Sequence, residues 1–517
     1  MTTLHESLNY TPLELSFGTS GLRGLLTDMT DLECFINASG FLGFLETAQQ
    51  LSPGSTIYVA GDLRDSTPRI LQSVIAAITE KGHKAVHCGF IPTPALAYYA
   101  LQNNAACIMV TGSHIPADRN GIKFYKLGGE ILKQDEQAIK SAVSSVRAAL
   151  YEGDSSDSLF NETGSFRSSV PQLTIDDTAK DSYISRYQDA FSASALAGKK
   201  IVFYQHSAVG RDIVTTILEN LGAEVIPVGR SDIFIPIDSE NVTPDDQRYF
   251  KELAREHPGL YAIVSTDGDS DRPFVIDENG DFHRGDELGA IVTDWIKPDF
   301  AAYSISSNDA VDTYLEQQNI PYVHTKIGSP YIITAMQESG AARAIGWEVN
   351  GGYLLGTRVD TANGSLEPLP TRDAVLPIVV ALVSAAEKAT SLSGLFSILT
   401  PRFTSSGLID EFPNIISKQI VEKYSTDSEE NKKALSHYFD EVNGFGTIDT
   451  INSLDGVRLY FSNGDIAHLR PSGNAPQLRI YSVADSQARA DQIVALSIAE
   501  PHGIFRTIER SLANEEE

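Results

Sequence analysis

The chain has 517 residues, which at roughly 100–200 residues per domain predicts about three to four domains and argues against a single compact core. Hydrophobic residues make up 42% and charged residues 21%, a globular balance too apolar for wholesale disorder. Lys plus Arg is 40 against Asp plus Glu 68, a net charge of −28. That surplus repels nucleic acid and anionic lipid, so a small anionic substrate would need a locally basic pocket.

The first ten residues lack a basic stretch leading into an apolar one, so no secretory signal is expected. The greasiest run, 374–386, is interrupted by Pro377 and is too short to span a bilayer. Cys34, Cys88 and Cys107 are too few and too scattered for a disulfide scaffold or a zinc site. A cytoplasmic protein is expected.

Thr56-Ile-Tyr-Val-Ala60 reads as a strand, followed by a helix over 67–81, a strand at 84–87, a helix over 94–103 and the apolar strand Ala106-Cys-Ile-Met-Val110. It ends on the polar loop Thr111-Gly-Ser-His114. A second copy runs from the strand 200–204 to the strand 261–264 and ends on Asp267-Gly-Asp-Ser-Asp271. A third runs from 302–305 to 343–345 and ends on Glu348-Val-Asn-Gly-Gly352. Three such units predict three similar α/β domains with mixed, mostly parallel sheets. Ligands in such sheets bind beyond the carboxyl ends of the strands, at these three loops. The expected division is 1–155, a Ser-, Asp- and Thr-rich linker or mobile excursion at 156–178, 179–285, 286–405, and a smaller α+β domain over 406–517.

Each loop carries recognisable chemistry. Phe17-Gly-Thr-Ser-Gly-Leu-Arg-Gly24 offers hydroxyls, flexible backbone amides and Arg23 to a phosphate, without the Gly-Lys-Ser/Thr ending of a Walker A. Ser113 and His114 at a strand end, with Lys123 downstream, could supply a nucleophile, a base and charge neutralisation, or only a capped turn. The surroundings do not match the Gly-x-Ser-x-Gly elbow of hydrolases. Asp267, Asp269 and Asp271 converge only if a cation offsets their repulsion. An EF-hand is disfavoured because Arg272 stands where glycine is needed and a strand precedes the loop, which leaves a magnesium-type site or a solvated acidic turn. Glu348 and Asn350 suit sugar hydroxyls, and Arg470-Pro-Ser-Gly-Asn474, with Arg470, Ser472 and Asn474, suits a phosphate.

In order along the chain, these loops resemble the signature segments of the α-D-phosphohexomutase superfamily, most closely bacterial phosphomannomutases. The resemblance implies three α/β domains plus a smaller fourth around a central cleft. It implies that Ser113 carries the transferable phosphoryl group with His114 and Lys123 beside it, and that Ser113, Asp267, Asp269 and Asp271 hold Mg2+. Arg23 would be the basic residue of the first loop. Glu348 and Asn350 would face the sugar, and Arg470, Ser472 and Asn474 the phosphate that does not react. Two segments depart from the pattern: Asn350 and Gly352 replace the serine and histidine of Glu-x-Ser-Gly-His, and Asn474 and Ala475 intrude in the fourth loop. Ser270 also replaces a glycine in the acidic loop. The implied reaction moves phosphate between C6 and C1 of a hexose phosphate through a hexose bisphosphate, with mannose ahead of glucose or glucosamine. A metal-dependent phosphatase and a silent sugar-phosphate sensor are the competing classes. As general acid/base Lys123 would need a lowered pKa.

Overall fold

The computed structural model describes residues 2–18, 21–472 and 476–515, the side chains of Asn514 and Glu515 excepted. The chain forms two compact units, Met1–Ala301 with Gly328–Phe396, and Ala302–Ile327 with Ser397–Glu517.

In the first unit the opening repeat builds a sheet in which Thr56–Gly61 lies between Lys84–Phe90 and Ala106–Val110, all parallel. The next strand, Arg119–Lys126, then turns back antiparallel to Ala106–Val110, and Leu22–Leu25 pairs antiparallel with it. The second repeat follows the same plan. Leu260–Thr266, Lys200–Tyr204 and Glu224–Val228 are parallel, and Pro273–Ile276 returns antiparallel to Leu260–Thr266. In the third, Ala344–Trp347 is followed by the antiparallel return Tyr353–Leu355 and then by Leu369–Asp373. Parallel strands need a long crossover, whereas an antiparallel return needs only a few residues. Each polar loop is therefore a short reversal at the end of a buried strand, and residues on the return strand come back beside it.

Packing holds these turns in place. Helix Asp31–Thr47, capped by Thr30, lies so close to helix Glu136–Glu152 that a Cβ on Gly40 would stand 2.4–2.8 Å from Val143 atoms. Helix Thr178–Ala190 anchors the end of strand Leu369–Asp373, with Tyr183 Oη donating to Asp373 Oδ1 at 2.6 Å and Tyr187 Oη to its other oxygen. The 156–178 stretch departs from the mobile excursion that its composition suggests. Phe160 is fully buried, edge-on to Phe35 at 5.4 Å, and the Gly164 carbonyl accepts from Leu32 N at 2.9 Å. Two aromatic rings outweigh the polar residues around them. The apolar helix Val375–Glu387 is a core element, and among the described residues no single helix is long and apolar enough to cross a bilayer.

The second unit holds a five-stranded antiparallel sheet in the order Phe403–Ile409, Leu478–Ala484, Ile466–Pro471, Val457–Phe461, Ile448–Asn452. Helices Asn414–Lys423, Gln487–Ile498 and Ile504–Glu515 belong to it, and Phe412, Tyr424, Leu459, Ile480 and Phe505 lie in its core. The 302–327 segment joins this unit through polar contacts. Arg458 Nη2 donates to the Ser307 carbonyl at 3.0 Å, and Asn308 Nδ2 to the Arg402 carbonyl at 2.9 Å.

Candidate active site

Ser113 ends the first repeat in a backbone conformation that costs energy. Its φ of 54° lies in the left-handed region, and its side chain is buried. Asp62 and Arg64, at the end of the neighbouring strand Thr56–Gly61, hold that turn. Asp62 Oδ2 accepts from Thr111 Oγ1 at 2.8 Å and Gly112 N at 3.3 Å, while Thr111 Oγ1 accepts from Ser113 N at 2.8 Å. Arg64 engages through every guanidinium nitrogen. Nε donates to Asp62 Oδ2 at 3.2 Å, Nη1 to the carbonyls of Pro116 and Arg119, and Nη2 to those of Ser113 and Ile115, at 2.6–3.0 Å. The Phe234 ring covers Arg64 at 3.9 Å. Neither Asp62 nor Arg64 belongs to the loops that the sequence singles out. The available signal was their position at a strand end in the same repeat.

The acidic loop faces Ser113. Ser113 Oγ donates to Asp267 Oδ2 at 2.6 Å and stands 3.3 Å from His114 Nδ1. Asp267, Asp269 and Asp271 are fully buried, with ligand oxygens all within 4.8 Å of one another. Ser270 takes the left-handed conformation, φ 58°, that suits a glycine. Its Oγ accepts from Gly210 N at 3.0 Å and shares a hydrogen bond with Thr266 Oγ1 at 2.8 Å. Burial and the two neighbouring carboxylates push Asp267 well above the ordinary range. Burial also opposes the charge of Asp271, but Arg372, Lys123 and Arg272 outweigh it and hold that group well below the range. Asp269 Oδ1 and Asp271 Oδ1 are buried without a hydrogen-bond partner. A hard divalent cation is the chemical complement of three convergent carboxylates with unpaired oxygens, so this donor set fits one.

Four cationic side chains bear on the cluster. Lys123, on the return strand after the Ser113 loop, places Nζ 2.6 Å from both Asp269 Oδ2 and Asp271 Oδ2. Burial works against its charge, but the two carboxylates prevail and its pKa is raised, the reverse of the lowering that a neutral-pH base requires. Arg372 Nε and Nη2 each lie 3.0 Å from Asp271 Oδ2, and Nη1 donates to Glu348 Oε2 at 2.9 Å. Arg272 bridges outward, with Nη1 3.1 Å from Asp238 and Nε 3.9 Å from Asp271 Oδ1. The Arg23 guanidinium makes no hydrogen bond or ion pair among the described residues, and burial together with Arg272 and Arg372 pulls it down to about 10. Burial and the same kind of neighbours, Arg272 and Arg23, hold His114 well below its ordinary value. A concentration of positive charge around a buried hydroxyl is what a phosphoryl group requires. Arg372 escaped the sequence reading because it lies on a later strand with no motif around it.

The third loop assigns its two polar residues differently. Glu348 Oε2 is held by Arg372, and Oε1 accepts no hydrogen bond among the described residues. Asn350 is occupied within the loop and by a neighbour. Its Oδ1 accepts from Gly352 N at 3.0 Å and its Nδ2 donates to Glu240 Oε1 at 3.2 Å, so it shapes the turn and keeps one N–H and one lone pair beyond these bonds. In the second unit Arg470 Nε donates to Asp455 Oδ2 at 3.1 Å, an oxygen that also accepts from Ile327 N at 3.0 Å. Ser472 N donates to the Gln477 carbonyl at 2.9 Å. Asn474, like Thr19 and Ser20 of the first glycine-rich loop, lies outside the described residues.

Comparison with known proteins gives the same assignment for all three repeats. Residues 14–149, 181–280 and 284–403 match the models of α/β/α domains I, II and III of phosphoglucomutase/phosphomannomutase. A phosphomannomutase from Sinorhizobium fredii is 41% identical over 93% of this chain and 98% of its own length. One from Salmonella muenchen is 39% identical over 93% and 94%. The fold is shared with a phosphoglucomutase/phosphomannomutase family protein from Burkholderia thailandensis, with a TM-score of 0.69 at 20% identity over 96% of this chain and 97% of that one. The buried serine, the acidic cluster and the cations around them thus sit in a chain that belongs to the phosphoglucomutase/phosphomannomutase family and is a phosphohexomutase.

Proposed function

We propose that the protein interconverts mannose 6-phosphate and mannose 1-phosphate, with Ser113 as the phosphoryl carrier. The observation that carries this reading is the position of Ser113 Oγ, buried and 2.6 Å from an oxygen of the acidic cluster. The names of its relatives from Sinorhizobium fredii and Salmonella muenchen support the choice of mannose.

In the forward direction a hydroxyl of the bound sugar phosphate attacks the phosphorus of phospho-Ser113. The new P–O bond to the sugar forms as the bond to Ser113 Oγ breaks, and the proton lost by the sugar hydroxyl ends on Ser113 Oγ, which leaves the transfer as the neutral hydroxyl. The resulting hexose bisphosphate reorients and returns its other phosphate to Ser113. Arg23 and Lys123 supply positive charge beside the moving group, and Arg64 keeps the serine turn from yielding as charge develops. Asp267, Asp269 and Asp271 would hold Mg2+ together with the phosphoryl oxygens on Ser113, and the ion supplies charge neutralisation when bound. Glu348 presents its remaining oxygen to the sugar hydroxyls, and Arg470, Ser472 and Asn474 take the phosphate that does not react.

We take the domain limits as 1–155, 179–285, 286–405 and 406–517, and the compartment as the cytoplasm, where three buried, unpaired cysteines remain reduced. Ser113→Ala decides the mechanism. Intact-mass analysis of wild-type protein should show one phosphoryl group that substrate removes, and the alanine variant should fold normally and lose turnover. An active alanine variant excludes the phosphoserine cycle, and release of free phosphate at the rate of substrate loss would favour the phosphatase reading. Specificity constants on mannose 1-phosphate and glucose 1-phosphate should favour mannose by about tenfold, or about 1.4 kcal/mol.

A further inference from the structure

The Arg372 guanidinium is shared between two parts of the site that are far apart in sequence. Two of its nitrogens hold Asp271 Oδ2 at 3.0 Å, and the third holds Glu348 Oε2 at 2.9 Å and approaches Ser329 Oγ at 3.3 Å. Its strand is fixed one residue later by Asp373, which accepts from Tyr183 and Tyr187. Its stem runs directly over Gly352. A Cβ at position 352 would lie 2.6 Å from both Cγ and Cδ of Arg372 and 2.8 Å from its Cβ. Gly352 is absent from the positive-φ glycines, so the stem requires the missing side chain and the backbone conformation does not.

We infer that Arg372 and Gly352 act together as a positioning device that ties the sugar-facing carboxylate to the acidic cluster. The inference rests on the reading of Glu348 as a sugar ligand. With one oxygen clamped by a planar guanidinium, Glu348 has a fixed orientation, and its free Oε1 points where a hydroxyl can meet it without first ordering the side chain. Lysine in place of Arg372 would keep the charge but lose the planar fork whose separate nitrogens meet Asp271 and Glu348. The arrangement also fixes a sign. The clamp aids binding of the sugar, yet its positive charge beside Asp271 opposes a divalent cation in the same cluster.

Gly352→Ala tests this, because it displaces the Arg372 stem without removing any charge. The expected result is a rise of about tenfold in KM for mannose 1-phosphate, while the affinity for Mg2+ alone, measured by titration calorimetry on the free enzyme, is unchanged or tighter. Arg372→Lys should show the same split, and it serves if the alanine variant does not fold. A role confined to stability would weaken both. An unchanged KM, or a loss of both affinities, overturns the inference. If wild-type protein turned over no hexose phosphate, the proposed function would fall, and the split would then be read from calorimetric titrations of mannose 1-phosphate and of Mg2+.

Discussion

A single buried carboxylate, Asp62, and the three-carboxylate cluster both lie at the ends of sheet strands, and they differ in how completely they are hydrogen-bonded. Asp62 is saturated: Oδ1 accepts from Arg64 N at 3.1 Å and Thr67 Oγ1 at 2.6 Å, and Oδ2 accepts from Arg64 Nε, Thr111 Oγ1 and Gly112 N. The cluster of Asp267, Asp269 and Asp271 is equally buried, yet two of its oxygens accept no hydrogen bond and one oxygen from each carboxylate lies within 4.8 Å of the others. A saturated buried charge is a structural element, because its hydrogen bonds replace the water it lost. An unsaturated one keeps acceptor capacity for a ligand, here beside the partial neutralisation that Lys123 and Arg372 supply. Burial and charge alone do not separate the two kinds of site; completeness of hydrogen bonding does.

The largest expected effects come from making the same substitution in both sites. Asp62→Asn leaves Arg64 buried without its counter-charge and turns an amide N–H toward donors, so it should cost about 3–5 kcal/mol of stability by urea unfolding. Asp269→Asn removes charge from a repelling group. Turnover should fall at least about a hundredfold and the magnesium required should rise, while stability stays the same or increases. Equal destabilisation by both would erase the distinction.

A smaller effect is expected at the cation beside the saturated carboxylate. Arg64→Lys keeps the charge but forfeits most of five donors, so the carbonyls of Ser113, Ile115, Pro116 and Arg119 lose partners. The cost should be about 2–4 kcal/mol. kcat should fall about tenfold with KM for mannose 1-phosphate nearly unchanged, because the displaced group is the serine turn and not the sugar site. A variant with wild-type kcat would show that the turn holds itself.

Another buried carboxylate has a titratable partner. His283 lies 3.3 Å from Asp277 and 3.7 Å from Glu287 and stacks flat on Phe396 at 3.6 Å. Burial opposes its charge, but the hydrogen bond to Asp277 and the neighbouring Glu287 carboxylate prevail and raise it to about 9. A histidine raised in the folded state stabilises the protein fully below its unfolded value near 6.5, and that stabilisation is lost as pH rises through about 9. The total is up to about 3 kcal/mol. Unfolding free energies of wild type and His283→Gln should therefore converge between pH 6.5 and 9, and a constant difference across that window would remove the ion pair from the account.

How much of this was legible beforehand differs from loop to loop. The repeated alternation of strand and helix, with a polar loop after every third strand, placed Ser113 and the three aspartates at strand ends, because periodicity and turn residues are local signals. The antiparallel return after each loop was not anticipated, and with it went the route by which Lys123 comes back to the aspartates. The bare side-chain chemistry of Asn350 suggested a sugar ligand. Its amide also bonds to Gly352 N and Glu240, a turn-shaping role that only the folded loop reveals. The Ser- and Thr-rich composition of the 156–178 stretch hid the burial of Phe160.

The amino-acid sequence by itself determined the repeat, the chemical character of each loop and the family. Each is written in short spans of chain, where the spacing of apolar residues and the identity of a few neighbours suffice. Tertiary structure alone decided which charges meet. Arg372 reaches Asp271 and Glu348, and Arg64 reaches Ser113, across separations of 101, 24 and 49 residues. No local pattern encodes such contacts. The strength of a buried ion pair depends on the distance and on the water excluded around it, and both exist only once the sheets have packed.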